Sequence, residues 1–180
     1  MKWRRELLLQ GILALCILIG LGIIFRVDLM AWVTRSAKSP PEVGQKAPDF
    51  SLTDLKGSTI RLAELRGKVV IINFWATWCI PCREEMPLLQ QFAQANSKEA
   101  VVVGIDLDEP QDLVAGFAEK YQIGFPILLD AGSKVADRYF IHGFPTSVII
   151  DPAGNITAIH IGKLTQANLS EYGKQAGLND

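Results

Sequence analysis

The feature that most constrains the fold is a Cys-x-x-Cys segment, residues 79–82, at the end of an apolar run. The run, residues 69–75, has the composition of a strand that is buried on both faces. A helix is predicted after Cys82 and extends to about residue 95. Two cysteines three residues apart at a helix start lie on one face, close enough for a disulfide. The segment therefore predicts a buried strand that leads into a helix with a cysteine pair at its first turn.

The position of this cysteine pair favours redox chemistry. The partial positive charge at a helix start stabilises a thiolate, and a second thiol within reach can resolve a mixed disulfide. Two other interpretations fit less well. A zinc site needs about four ligands, and the chain otherwise offers only Cys16, His142, His160 and scattered carboxylates. A structural disulfide that closes so short a loop adds little stability.

The N-terminal apolar segment, residues 7–25, approaches the ~20 residues that a transmembrane helix needs. Lys2, Arg4 and Arg5 precede it, so the positive-inside rule keeps the N-terminus in the cytoplasm and the rest of the chain outside. A cleaved signal peptide is the alternative, but the segment is longer than a usual apolar region of ~7–15 residues and no clear A-x-A site follows. We expect residues 1–33 to be an uncleaved, single-pass anchor in a bacterial inner membrane, in contact with the bilayer through residues 7–25.

A linker and one domain follow the predicted anchor. Residues 34–45 include Pro40, Pro41 and Gly44 and predict a stiff, extended spacer. Residues 46–180 predict a single domain that is long enough to form its own core. Strands separated by helices predict an α/β fold with a parallel portion, and a final hairpin over residues 146–161 adds an antiparallel edge.

The composition argues against a nucleic-acid partner and against a fold that disulfides stabilise. The formal net charge is −1 and no basic stripe with interleaved aromatic residues is present, which argues against nucleic acid as a partner. Beyond the apolar segment, Cys79 and Cys82 are the only cysteines, whereas a chain stabilised by disulfides would carry more. The pair is therefore expected to have a redox role and not a structural one.

Three blocks of sequence resemble the membrane-anchored TlpA/ResA group of thioredoxin-fold proteins. They are Val-Gly-x-x-Ala-Pro-Asp-Phe at residues 43–50, Asn-Phe-Trp-Ala-Thr-Trp-Cys-Ile-Pro-Cys-Arg-Glu-Glu-Met-Pro at residues 73–87, and Gly-Phe-Pro-Thr at residues 143–146. The resemblance covers residues 43–178, and the second block is highly specific. It implies a thioredoxin-like fold, with a central mixed sheet flanked by helices and an extra N-terminal hairpin. It also implies thiol–disulfide oxidoreductase activity that needs no cofactor and no metal.

The resemblance further implies roles for individual residues. Cys79 would be the exposed, attacking thiol and Cys82 the buried, resolving thiol. Glu85 matches a buried glutamate of the family, and such a carboxyl can exchange protons with the resolving thiol. Pro145 would be a cis-proline beside the disulfide, and the Phe144 backbone would pair with an extended client segment.

Other residues near the pair complete the predicted site. Trp78, Ile80 and Pro81 are expected to contact clients, and Trp78 also to pack around the dithiol. Thioredoxin has an aspartate where this chain has Asn73, so that proton relay is absent and Glu85 becomes the better candidate for proton exchange. Because Ile80 is uncharged, we infer only moderate acidification of Cys79, which favours a reductant over a strong oxidant.

The expected function is therefore the reduction of disulfides in client proteins. Resemblance to the ResA side of the group makes apocytochrome c the first candidate client, and a membrane electron donor must reduce the enzyme again. One alternative is a disulfide oxidant or isomerase. Another is a peroxidase of the peroxiredoxin type, although its Pro-x-x-x-Thr-x-x-Cys pattern has Ile72 and Ala76 here. A third is a copper-site assembly protein, which acts as a thiol reductant or binds Cu(I) through the thiolates and His142.

Overall fold

The computed structural model describes residues 39–178. The predicted anchor, residues 1–33, lies outside this range, as does the first part of the predicted linker. Within residues 39–178, no helix combines the length and the apolar character that crossing a membrane requires. The elements in this range, in chain order, are β1 (Ser51–Asp54), β2 (Thr59–Arg61), a 3₁₀ turn (Leu62–Leu65), β3 (Val69–Trp75), α1 (Ile80–Ala95), β4 (Ala100–Leu107), α2 (Gln111–Lys120), β5 (Ile127–Asp130), α3 (Lys134–Arg138), β6 (Thr146–Ile150), β7 (Ile156–Ile161) and α4 (Gln166–Gln175).

The strands form one mixed sheet in the order β2-β1-β5-β4-β3-β6-β7. Strands β3, β4 and β5 are parallel, because helices α1 and α2 carry the chain back between them. The β1–β2 hairpin joins one side of the sheet through β5, and the β6–β7 hairpin joins the other side through β3, both in antiparallel pairing. The predicted mixed α/β sheet, its N-terminal hairpin and its antiparallel edge are thus confirmed.

The side chains of β3 alternate between two hydrophobic layers on opposite faces of the sheet. Residues Val69, Ile71 and Trp75 pack with the apolar faces of helices α1, α2 and α4. The other layer lies against α3 and the segments around β1 and β2, and its β3 members are Val70, Ile72 and Phe74. Helices or loops cover both faces, which explains why the whole strand is buried and its sequence shows no alternation. By the same alternation, Asn73 faces the helices and not the second layer.

We expect Ile72→Ala to lower the free energy of unfolding by about 3–4 kcal/mol, because it removes a fully buried side chain and leaves a cavity. Ile161→Ala is the matched control, since the same truncation on β7 affects a side chain that is 78% exposed. Its expected cost is below about 1 kcal/mol. Urea unfolding of both variants measures the difference. Equal losses would contradict the assignment of β3 to the centre of the core.

Candidate active site

The redox loop, residues 76–79, connects β3 to α1 and ends in a disulfide between Cys79 and Cys82. The S–S distance is 2.02 Å and the Cα atoms are 5.3 Å apart. Helix α1 begins at Ile80, earlier than the sequence predicted, because Cys79 is the N-cap and its Sγ accepts a hydrogen bond from the Cys82 backbone N–H at 3.2 Å. Pro81 fits the first turn, where its missing N–H costs no helical hydrogen bond. The helix start therefore directs an N–H group at the Cys79 sulfur, which favours a thiolate there after reduction.

The two cysteines are buried, whereas the residues on either side of Cys79 are exposed. Cys82 is fully buried and Cys79 is only 4% exposed, so the expected exposure of Cys79 is wrong for this disulfide form. The reason is that Cys79 belongs to the hydrophobic layer that contains Trp75 and Cys82. Its neighbours Trp78 and Ile80 are 63% and 66% exposed. A client can thus contact the exposed side chains of Trp78 and Ile80 directly, whereas only a small part of Cys79 is accessible to it.

The loop before β6 brings the Gly-Phe-Pro-Thr block to this surface. The rings of Phe144 and Trp78 meet edge to face with centroids 5.7 Å apart. The Phe144–Pro145 peptide bond is cis, as expected, and Pro145 is buried. Pro145 O accepts a hydrogen bond from Gly162 N–H at 2.8 Å, which connects this loop to the end of β7. The structure therefore brings two of the three predicted blocks together.

Glu85 lies one helical turn after Cys82 and is only 1% exposed. Its Oε1 accepts a hydrogen bond from Asn73 Nδ2 at 2.8 Å, and its Oε2 accepts one from Leu164 N–H at 2.7 Å. Asn73 Nδ2 also donates to Ser147 Oγ at 2.9 Å. Sequence reasoning missed Ser147 and Leu164. Neither has a local signal, and only the register that pairs β3 with β6 places Ser147 opposite Asn73.

The environment of Glu85 changes its protonation. Burial raises the pKa of Glu85 above its ordinary value, and this effect outweighs the opposing hydrogen bonds from Leu164 and Asn73 and the charge of Lys163. A carboxyl with a raised pKa stays protonated at a higher pH than an exposed glutamate does. Glu85 therefore has the property that proton exchange with the Cys82 thiol requires.

A second buried acid, Asp106, is connected to the redox loop through Glu109, and sequence reasoning missed both residues. Thr77 donates from its backbone N–H to Glu109 Oε2 at 2.5 Å and from its hydroxyl to Glu109 Oε1 at 2.6 Å. Glu109 N–H in turn donates to Oδ1 of the fully buried Asp106 at 3.3 Å. Burial, followed by the hydrogen bond and the charge of Glu109, raises the pKa of Asp106 to about 8. The available signal was an aspartate inside a strand whose other residues are apolar.

Metal-ligating side chains do not cluster in the described part of the chain. No group of three or more His, Cys, Asp or Glu side chains there could hold a metal ion. His142 is exposed in the loop before β6. His160, which the sequence placed among metal candidates, instead contacts the Tyr172 hydroxyl through Nδ1 at 3.1 Å.

The model of the AhpC/TSA family matches residues 43–159. The chain belongs to the AhpC/TSA family. Thiol-disulfide oxidoreductase ResA of Geobacillus kaustophilus is 34% identical over 173 residues, which cover 96% of this chain and 97% of that protein. A ResA of Bacillus cereus is 37% identical over 136 residues, which cover 75% of this chain and 79% of that protein.

A solved structure agrees with these sequence matches. The thiol:disulfide interchange protein, a thioredoxin family protein from Chlorobium tepidum TLS, superposes with a TM-score of 0.68 at 30% identity. The superposition covers 78% of this chain and 99% of that one. Together with the Cys79–Cys82 pair, the matches identify a ResA-like thiol–disulfide oxidoreductase with a thioredoxin-like fold, and the resemblance seen in the sequence is confirmed.

We expect Glu85→Gln to flatten the pH dependence of stability while the fold is retained. A raised pKa means that the folded protein binds the proton more tightly than the unfolded chain. The free energy of unfolding therefore falls as the pH rises from 4.5, the ordinary value, through the raised folded value. The variant cannot ionise and lacks this fall. Asn73 Oδ1, which has no hydrogen-bond partner within residues 39–178, can accept from the new amide after a rotation.

Urea unfolding of the oxidised protein between pH 4 and pH 8 measures this effect. Glu84→Gln is the matched control, because Glu84 is an exposed acid on the same helix and contacts Lys163 at 2.7 Å. It should keep the pH slope of the wild type. Equal slopes for the wild type and Glu85→Gln would show that burial of the carboxyl does not perturb its titration. The pH profile of thiol–disulfide exchange should shift in Glu85→Gln as well.

Proposed function

We propose that this protein reduces disulfides in client proteins on the extracytoplasmic side of a bacterial inner membrane, where residues 7–25 anchor it. The observation that carries the proposal is the arrangement around the disulfide. Cys79 lies next to an exposed apolar surface, and the buried carboxyl of Glu85 lies one turn behind Cys82. Such an arrangement supplies an attacking sulfur on the client side and a proton acceptor on the protein side.

The exchange proceeds in two displacements. The Cys79 thiolate attacks one sulfur of a client disulfide, the client S–S bond breaks, and the second client sulfur leaves as a thiolate. Cys82 then transfers its proton to Glu85 and attacks Cys79 Sγ, which releases the first client sulfur. The client gains two electrons and leaves as two thiolates, which take up one proton from Glu85 and one from solvent, and the enzyme ends as the Cys79–Cys82 disulfide. A membrane electron donor of the thiol-reducing type returns the enzyme to the dithiol.

Clients bind the surface formed by Trp78, Ile80, Pro81 and Phe144. Of these, Trp78, Ile80 and Pro81 are exposed, and Phe144 is half-buried against Trp78. Within residues 39–178, the N–H and C=O of Phe144 have no backbone hydrogen-bond partner. These two groups favour an extended client segment that adds alongside Phe144 like a strand, while its side chains contact the apolar surface.

Apocytochrome c is the client that we propose, with its haem-attachment cysteines as the disulfide to be reduced. The support is the resemblance of the three sequence blocks to the ResA side of the group. A client whose cysteines are close in sequence also suits the small exposed part of Cys79, because a short disulfide loop can project its sulfurs toward the surface. A disulfide oxidant is the competing function, since the N–H group directed at Cys79 Sγ favours the thiolate of the reduced form.

The reduction potential of the Cys79–Cys82 couple separates a reductant from an oxidant. We expect a value near that of thioredoxin, about −270 mV, because the residues between the cysteines supply no charge that would stabilise the Cys79 thiolate further. Equilibration of the purified protein with defined ratios of reduced and oxidised dithiothreitol and glutathione measures it. A value near −120 mV, at the oxidising end of the thioredoxin-fold range, would make the protein a disulfide donor.

Cys82→Ser should accumulate mixed disulfides with clients in cells, because Cys79 can still attack but nothing resolves the bond. Cys79→Ser is the matched control and should give no adduct through the redox pair, since its remaining thiol, Cys82, is fully buried. Non-reducing electrophoresis and mass spectrometry of the membrane fraction identify the adducts. Extracytoplasmic cytochrome partners are the expected result. Adducts with cytosolic proteins would contradict the proposed location, and adducts from both variants would contradict the assignment of Cys79 as the attacking thiol.

A further inference from the structure

The redox loop is attached to the rest of the protein through Thr77, two residues before Cys79. Both donor groups of Thr77 bind the two carboxylate oxygens of Glu109, at 2.5 and 2.6 Å. On the other side, Arg83 Nε donates to Thr77 O at 2.6 Å. The position of Glu109 therefore determines where the loop, and with it Cys79, lies.

Asp106 lies directly beneath this attachment, at the end of β4. It is fully buried and pairs with Trp75 on β3 and Leu129 on β5, neither of which has a titratable side chain. Its Oδ1 accepts from Glu109 N–H, but its Oδ2 has no hydrogen-bond partner within residues 39–178. An ionised, unpartnered oxygen that is buried beside a second carboxylate is unfavourable on both counts. A proton on Oδ2 removes the charge and supplies a donor for Glu109.

We propose that Asp106 is a positioning residue for thiol–disulfide exchange, which acts as a neutral acid by donating a hydrogen bond to Glu109 and so orders Thr77 and the redox loop. The inference rests on the exchange activity alone, and not on the direction or the clients proposed above. It gives a role to a buried acid that neither displacement of the exchange uses.

The charged groups that face Asp106 all favour its neutral form. Glu109 and Asp108 come from the segment that follows β4, and both are acids. The nearest cation in this network is Arg83, which contacts the carbonyl of Thr77 and not Asp106. Burial and Glu109 raise the pKa of Asp106 to about 8, so the acid is neutral at neutral pH and ionises under mildly alkaline conditions. The hydrogen bond to Glu109 is then replaced by repulsion between two carboxylates.

Ionisation of Asp106 should slow exchange for two reasons that act in the same direction. Glu109 loses the donor that orders it, so its contacts to Thr77 weaken and the redox loop becomes less ordered. The added negative charge also lies near the loop and disfavours the Cys79 thiolate. A variant that keeps the donor and cannot ionise should escape both effects.

Asp106→Asn in the full-length protein, purified in mild detergent, is that variant. The measurement is the rate constant for oxidation of the reduced protein by glutathione disulfide, between about pH 6.5 and about pH 9.5. The ratio of variant to wild-type rate constants should be near one at the acid end and rise about fivefold at the alkaline end, with a midpoint near 8. The ratio removes the part of the pH dependence of the Cys79 thiolate that the two proteins share, and it keeps the part that comes from ionisation of Asp106.

Asp112→Asn is the matched control, because Asp112 is an exposed acid in the first turn of α2. Its ratio to the wild type should stay near one at every pH. A ratio for Asp106→Asn that does not change with pH would overturn the proposal, since a merely structural role would alter the rate equally throughout the range. Carbon-13 NMR of the Asp106 carboxyl tests the same point in the unmodified protein. A titration midpoint near 8 supports the proposal, and one near 3.8 refutes it.

Discussion

Coverage of β3 on both faces is the constraint on which the rest of the structure depends. Every residue of this strand is buried, so its single amide, Asn73, must find hydrogen-bond partners inside the protein. It binds Glu85 on α1 and Ser147 on β6. The same strand ends at the redox loop, and its buried register with β4 and β6 places the cysteine pair in the hydrophobic layer that contains Trp75. Core packing and the position of the site thus have one origin.

The site contains two buried carboxyls on different elements, and burial is the main reason that both have raised pKa values. Glu85 lies one helical turn after Cys82 and accepts two hydrogen bonds, but burial outweighs them and keeps its pKa raised. Asp106 lies under the attachment of the loop and contacts Glu109. We infer that one acid serves the chemistry of the sulfurs and that the other serves their placement. The surface beside them carries exposed apolar side chains instead, which is suited to contact with a protein client.

The parts of the site that the sequence predicted are those with short-range signals. The cysteine spacing, the buried strand before it and the Gly-Phe-Pro-Thr block depend on residues that are close along the chain. The missed contacts join distant segments: Thr77 to Glu109, and Glu85 to Leu164. Periodicity carries no information about which loop end meets which carboxyl, because that depends on strand order and register. The near-complete burial of Cys79 was missed for the same reason, as it follows from packing within a layer that several separate elements form.

The sequence by itself determined the α/β class and the redox pair, and resemblance added the thioredoxin-like fold and the expected roles of Glu85 and Pro145. The first two follow from local spacing and apolar periodicity, and the resemblance rests on short motifs, so all of them depend on residues that are close along the chain. It also predicts an N-terminal anchor, on segment length and flanking charge. Only the tertiary structure decided which polar groups become buried and what they contact. Burial is a property of many packed segments together, and it is burial that changes the protonation of Glu85 and Asp106.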